Sequence, residues 1–66
     1  MVMIHLIVLD TVDFGKATFV IENIAMICAE KYYTQIWIST GKYLAVKESV
    51  EEIVKRINQT VYGTKE

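Results

Sequence analysis

Sixty-six residues with one cysteine, one histidine and no proline allow a single small domain, 1–66, and exclude an internal disulfide and a four-ligand structural zinc site. The formal net charge is −1, so the basic excess with which nucleic-acid binders displace counterions from phosphate is missing. Hydrophobic residues make up 53% of the chain, against roughly 45–50% in ordinary domains; a domain this small is marginal alone, so a homo-oligomer, foremost a dimer, is the expected route to stability.

The chain opens Met1-Val2-Met3-Ile4 without a basic region, and Asp10 closes its apolar run before it could span a membrane. With a free cysteine, this sets the expectation of no membrane insertion and a reducing, cytoplasmic setting. Residues 2–9 are aliphatic and β-branched and predict a first strand. Ile4, Leu6 and Val8 share one of its faces and His5, Ile7 and Leu9 the other, a pattern expected of a central strand. Asp10 to Lys16 is rich in turn residues and reads as a connection.

A second strand region covers about 18–29. Thr18 to Ile21 is strand-like; in Glu22 to Glu30, helical spacing (Ile24, Ile27, Cys28) competes with strand spacing (Ile24, Met26, Cys28), and a short turn after Ile21 followed by a strand through Ala29 is the reading adopted. Strands over 33–39 and 42–47 follow, joined by Ser39-Thr40-Gly41 as a three-residue hairpin loop with Gly41 left-handed. That loop sets Ile38 opposite Lys42, Trp37 opposite Tyr43, Ile36 opposite Leu44, Gln35 opposite Ala45 and Thr34 opposite Val46.

A helix is predicted over about 49–61. Ser49-Val50-Glu51-Glu52 is a capping box, in which the serine hydroxyl accepts from the Glu52 amide and the Glu52 carboxylate returns to the serine amide. Val50, Ile53, Val54, Ile57 and Val61 form an apolar stripe. Glu51–Lys55 and Glu52–Arg56 have the spacing of surface ion pairs, and Gly63 can end the helix. The stripe is expected to seat on the hairpin face carrying Ile36, Ile38, Leu44 and Val46. The fold class is therefore α+β: a small antiparallel sheet of about four strands with one C-terminal amphipathic helix.

Little in the chain suggests catalysis. His5 has no orienting partner nearby in sequence, and as a strand histidine it reads as a packed residue. Cys28 lacks an electropositive setting and reads as a small apolar residue. Glu48, Glu51 and Glu52 are assigned to helix capping, and the three glycines make no phosphate loop. The expectation is no catalytic residue, no cofactor and no metal. The functional content lies on the second face of the hairpin, where Tyr33, Trp37 and Tyr43 form a candidate interaction surface, because Trp and Tyr dominate interface hot spots.

The run Thr34-Gln35-Ile36-Trp37-Ile38-Ser39-Thr40-Gly41-Lys42-Tyr43-Leu44-Ala45-Val46-Lys47-Glu48-Ser49-Val50-Glu51-Glu52-Ile53 resembles the FlbD-like, or SwrD-like, family of small flagellar-operon proteins, which also has phage and prophage relatives. The shared features are a Thr-x-Ile strand, a glycine turn, and Val-Lys-Glu-Ser leading into a helix with glutamate at its start. The chain departs from the family pattern at Ile21, at Cys28-Ala29 and at Tyr32-Tyr33-Thr34. The resemblance implies a non-enzymatic accessory or adaptor protein, bacterial or phage-encoded, acting through protein contacts. The hairpin and helix are also similar to the end of a LytTR-type DNA-binding domain. That likeness, with Lys16, Lys31, Lys42 and Lys47 available to gather on one face, supplies the alternative of a small nucleic-acid-binding or regulatory module, which the net charge opposes.

Overall fold

A computed structural model describes residues 3–63. The elements run β1 (Leu6–Thr11), β2 (Gly15–Val20), a 3-10 turn (Ile21–Asn23), β3 (Ile24–Ala29), β4 (Thr34–Ile38), β5 (Tyr43–Val46) and α1 (Val50–Tyr62). The strands form one antiparallel sheet in the order β2-β1-β5-β4-β3, so the class is α+β, with five strands rather than about four.

The extra strand comes from the 18–29 region. Its two halves are β2 and β3, which lie at opposite edges of the sheet. Four strand spacings of about 4.8 Å separate the edges of a flat sheet by roughly 19 Å. The four Cα steps from Val20 to Ile24 span at most about 15 Å. The sheet must therefore curl, and it does: Ala17 and Phe19 of β2 line one cavity with Ile38 of β4 and Leu44 of β5. The turn itself is tied into both flanks, since the Ile21 amide donates to the His5 carbonyl and the Ser39 amide to the Asn23 carbonyl, each at 2.8 Å.

The connection expected over residues 10–16 is shorter than its composition suggested. Asp10 and Thr11 belong to β1, and β2 begins at Gly15, which has φ +77°. Thr11 is buried, yet its hydroxyl donates to the Gly15 carbonyl at 2.6 Å and accepts from the Phe14 amide at 2.9 Å. That side chain closes the turn in place of a longer loop. Val2, the expected start of the first strand, lies outside the described residues.

The β4–β5 hairpin has the expected register: Trp37 opposite Tyr43, Ile36 opposite Leu44, Gln35 opposite Ala45 and Thr34 opposite Val46. Gly41 adopts φ +92°, and its amide donates to the Ile38 carbonyl at 2.9 Å. The helix also matches closely. The Ser49 hydroxyl accepts from the Glu52 amide at 3.1 Å, and Gly63 ends the helix in the left-handed region. The return half of the capping box is not among the hydrogen bonds of the described residues.

The core lies on the concave side of the curl. Ile7, Leu9, Phe19, Ile36, Val46 and Ile53 form it, with Ile24, Ile27, Leu44 and Ile57 packed around them. Ile53 thus meets Ile36 and Val46, as the hairpin-seat argument expects, while the helix backbone runs nearest to β1 and β3. Val54 is a correction: it is 43% exposed and stands off the stripe. Only one face of β1 is buried, through Ile7, Leu9 and Thr11, whereas Leu6 and Val8 are exposed.

Candidate interaction surface

Period-two alternation carries the core-facing assignment outward. If Ile36 and Val46 point at the helix, then Gln35, Trp37, Tyr43 and Ala45 point the other way. In β1 the same reasoning puts Leu6 and Val8 on that convex side, with Val12 just past its end, and in β3 it puts Met26 and Cys28 there. Leu6, Val8, Val12, Met26 and Tyr43 are all between 42% and 55% exposed. The convex face is thus a broad apolar surface opposite the helix, of a kind that soluble monomers rarely carry without a partner.

At its centre the Trp37 and Tyr43 rings pair across the strands, with centroids 4.8 Å apart and planes tilted by 37°. The Trp37 indole N–H donates to the Gln35 side-chain carbonyl at 3.0 Å, which ties the ring to its own strand. Tyr33 has the same strand parity and is half-buried. Tyr33 and Tyr43 line an open groove of about 520 Å³ with Val12, Asp13 and Phe14 from the β1–β2 turn. All three sequence-predicted aromatics therefore fall on one side. They do not pack beneath the N-terminal strands, because β1 and β2 continue the same sheet instead of stacking on it.

Sequence reasoning missed Leu6, Val8, Val12, Phe14 and Met26 as members of this surface. Their alternation was visible, but which face of β1 the helix covers depends on strand order.

The residues weighed for chemistry are dispersed. His5 does have an orienting partner, distant in sequence: its amide donates to Glu22 Oε1 at 3.0 Å, and its ring Nδ1 lies 2.5 Å from Glu22 Oε2. The His5 side chain, and then the His5 amide, hold the Glu22 carboxyl below its ordinary value. Cys28 lies on β3 opposite Gln35, away from this pair. Among the described residues no group of three or more His, Cys, Asp or Glu side chains is arranged to hold a metal ion.

Glu48 is not a helix cap. Both of its carboxylate oxygens accept the Asp10 amide of β1, at 3.0 and 3.1 Å, and the carboxylate also faces Arg56 at 3.8 Å. Arg56 pairs with Glu48 rather than with Glu52, and it donates to the Val8 carbonyl at 2.8 Å. Of the lysines weighed for the nucleic-acid alternative, Lys42 sits at the β4–β5 turn, while Lys31 and Lys47 flank the opposite end of that hairpin and Lys16, opposite Asp10, lies toward that same end of the sheet.

Among the described residues no helix is long and apolar enough to cross a membrane. Comparison with known proteins finds no matching family model, no matching curated protein and no matching solved structure.

Proposed function

We propose that this chain is a small non-enzymatic accessory or adaptor protein of the FlbD-like kind, bacterial or phage-encoded and cytoplasmic, that self-associates and works through protein contacts. One observation carries the reading: the convex face of the sheet, opposite the helix, is apolar and centred on the Trp37–Tyr43 pair. Tyr33, Trp37 and Tyr43 are the contact residues, because rigid aromatic side chains bury much area at little cost in conformational entropy.

The support is physical rather than chemical. A face of this kind costs solubility unless something covers it, whereas the nearest approach to a catalytic arrangement, His5 with Glu22, lines neither the groove at Tyr33 and Tyr43 nor the cavity between Phe19 and Leu44.

The test is affinity capture from the native host with the wild-type chain and with Trp37→Ala, alongside a mobility-shift titration at low and moderate salt. The reading requires a defined protein partner that is lost with Trp37→Ala. A salt-sensitive nucleic-acid shift would replace it with the regulatory-module alternative.

A further inference from the structure

The two edges of the sheet are chemically unlike. Along β2, the Ile21 amide bonds to the His5 carbonyl. The antiparallel alternation then turns the backbone groups of Lys16, Thr18 and Val20 outward. A lysine on an edge is a common guard against strand addition. Along β3, the Glu30 amide bonds to the Tyr33 carbonyl at 2.8 Å. The same alternation directs Cys28 and Met26 at β4 and turns the N–H and C=O of Ile27 and Ala29 outward. Ile24 to Ala29 carries no charge and no proline, and Ala25, Met26 and Ala29 are exposed. Among the described residues no strand pairs with this edge.

We propose that β3 is a self-pairing edge: two copies of this chain join antiparallel, β3 to β3, about a two-fold axis beside Cys28, and make one continuous ten-stranded sheet. The inference rests on the protein-contact reading above and specifies how the chain meets its own copy.

The register follows from the irregularity in β3. The strand is bulged between Ile24 and Met26, so its regular ladder runs from Met26 to Ala29; the Glu30 amide, bonded to the Tyr33 carbonyl, extends this to a stretch centred on Cys28. Centred there, Ile27 and Ala29 of one copy exchange backbone hydrogen bonds with Ala29 and Ile27 of the other. Glu30 then opposes Met26 of the second copy, and Lys31 opposes Ala25. No like charges meet, which is the condition for self-complementary pairing about a two-fold. The outward backbone groups are what commit the occupant to a strand, since only a strand satisfies them in series. The alternation makes Cys28 a non-hydrogen-bonded pair with its own copy, where Cα atoms lie about 4.5 Å apart. That spacing lies within the range a disulfide bridges.

The experiment uses the full chain. Sedimentation of the wild type should give a dimer at micromolar concentrations, and the oxidant diamide should convert it to a Cys28–Cys28 cross-linked dimer on a non-reducing gel. Ala29→Pro removes one outward N–H and none of the bonds to β4, so it should sediment as a monomer with an unchanged far-UV circular dichroism spectrum. Cys28→Lys, which sets two like charges face to face, should do the same if Ala29→Pro fails to fold. A wild-type monomer, a dimer that survives both substitutions, or a dimer that diamide cannot link through Cys28 would overturn the inference. If Trp37→Ala alone dissolves the dimer, the edge inference falls while the protein-contact reading stands; loss of partner capture in Trp37→Ala with the dimer intact supports both.

Discussion

The Glu48 carboxylate accepts the backbone amide of Asp10 through both oxygens, at 3.0 and 3.1 Å, across 38 positions of chain. It does so where β5 has run out. The β1–β5 ladder includes the Lys47 amide bonded to the Asp10 carbonyl and the Val12 amide bonded to the Ala45 carbonyl. Beyond that point Glu48 stands in for a strand carbonyl, and Arg56 stands in for a strand amide by donating to Val8. Two side chains thus extend the pairing of β1 and tie it to the start and middle of the helix.

Removing the Glu48 acceptor leaves a half-buried Asp10 amide unpaired. Glu48→Ala should cost about 1–3 kcal/mol, and Glu48→Gln, which keeps an acceptor, distinctly less. The Glu48–Arg56 ion pair contributes little by itself, because at 3.8 Å with both side chains partly exposed its coupling should be about 0.2–1 kcal/mol. Urea denaturation of the two single variants and the double variant measures both quantities.

Ile53 is fully buried among Ile36, Val46 and Leu9. Ile53→Ala should destabilise the fold by about 2–5 kcal/mol through lost burial and a residual cavity, a large share of what so small a domain has. Ile53→Asp, which buries an unpaired charge at the same place, should leave the chain unfolded. Thermal melts followed by circular dichroism check both; a folded Ile53→Asp protein would mean that the helix is not held by this contact.

Acid should weaken the tie between the start of β1 and the 3-10 turn. The Glu22 carboxyl is held below its ordinary value of 4.5 by the His5 side chain first and the His5 amide second. A group whose folded pKa is lowered contributes stability above its unfolded pKa and loses it as pH falls through the folded value. Stability should therefore decline as pH drops below about 4.5, and Glu22→Gln should flatten that decline. Denaturation midpoints measured from pH 7 down to pH 3 give the comparison.

Trp37 is the only tryptophan of the chain, which makes its environment easy to follow. Its pairing with Tyr43 at 4.8 Å should show a coupling of about 0.5–1.5 kcal/mol in a double-mutant cycle with alanine. Tyr43→Ala should also shift the tryptophan emission to longer wavelength, since Tyr43 shields one side of the ring. Fluorescence-monitored urea titrations report both effects.

The hairpin and the helix were legible because local rules govern them. A three-residue loop ending in a left-handed glycine sets a register without reference to the rest of the chain, and Ser49 needs only the amide three residues on to cap a helix. The aromatics of the candidate surface were legible for the same reason, since the register alone puts Trp37 opposite Tyr43. In the 18–29 region a strand, a short turn near Ile21 and a strand through Ala29 were legible too, but not where the two strands lie. Its two strands part to opposite edges of the sheet, and no pattern within the segment carries that information.

The sequence by itself determined the class of fold, the β4–β5 register, the helix with both of its ends, and the side of the hairpin on which Tyr33, Trp37 and Tyr43 lie; each depends on residues within a few positions of one another. Strand order, the curl of the sheet, the exposed half of β1, and the partners of His5, Glu48 and Arg56 were decided only in the tertiary structure. The reason is that these features depend on which distant segments come together. A three-residue turn that must join opposite edges forces the curl, while the pairing of β1 with β5 brings Glu48 to Asp10 and its pairing with β2 brings Glu22 to His5.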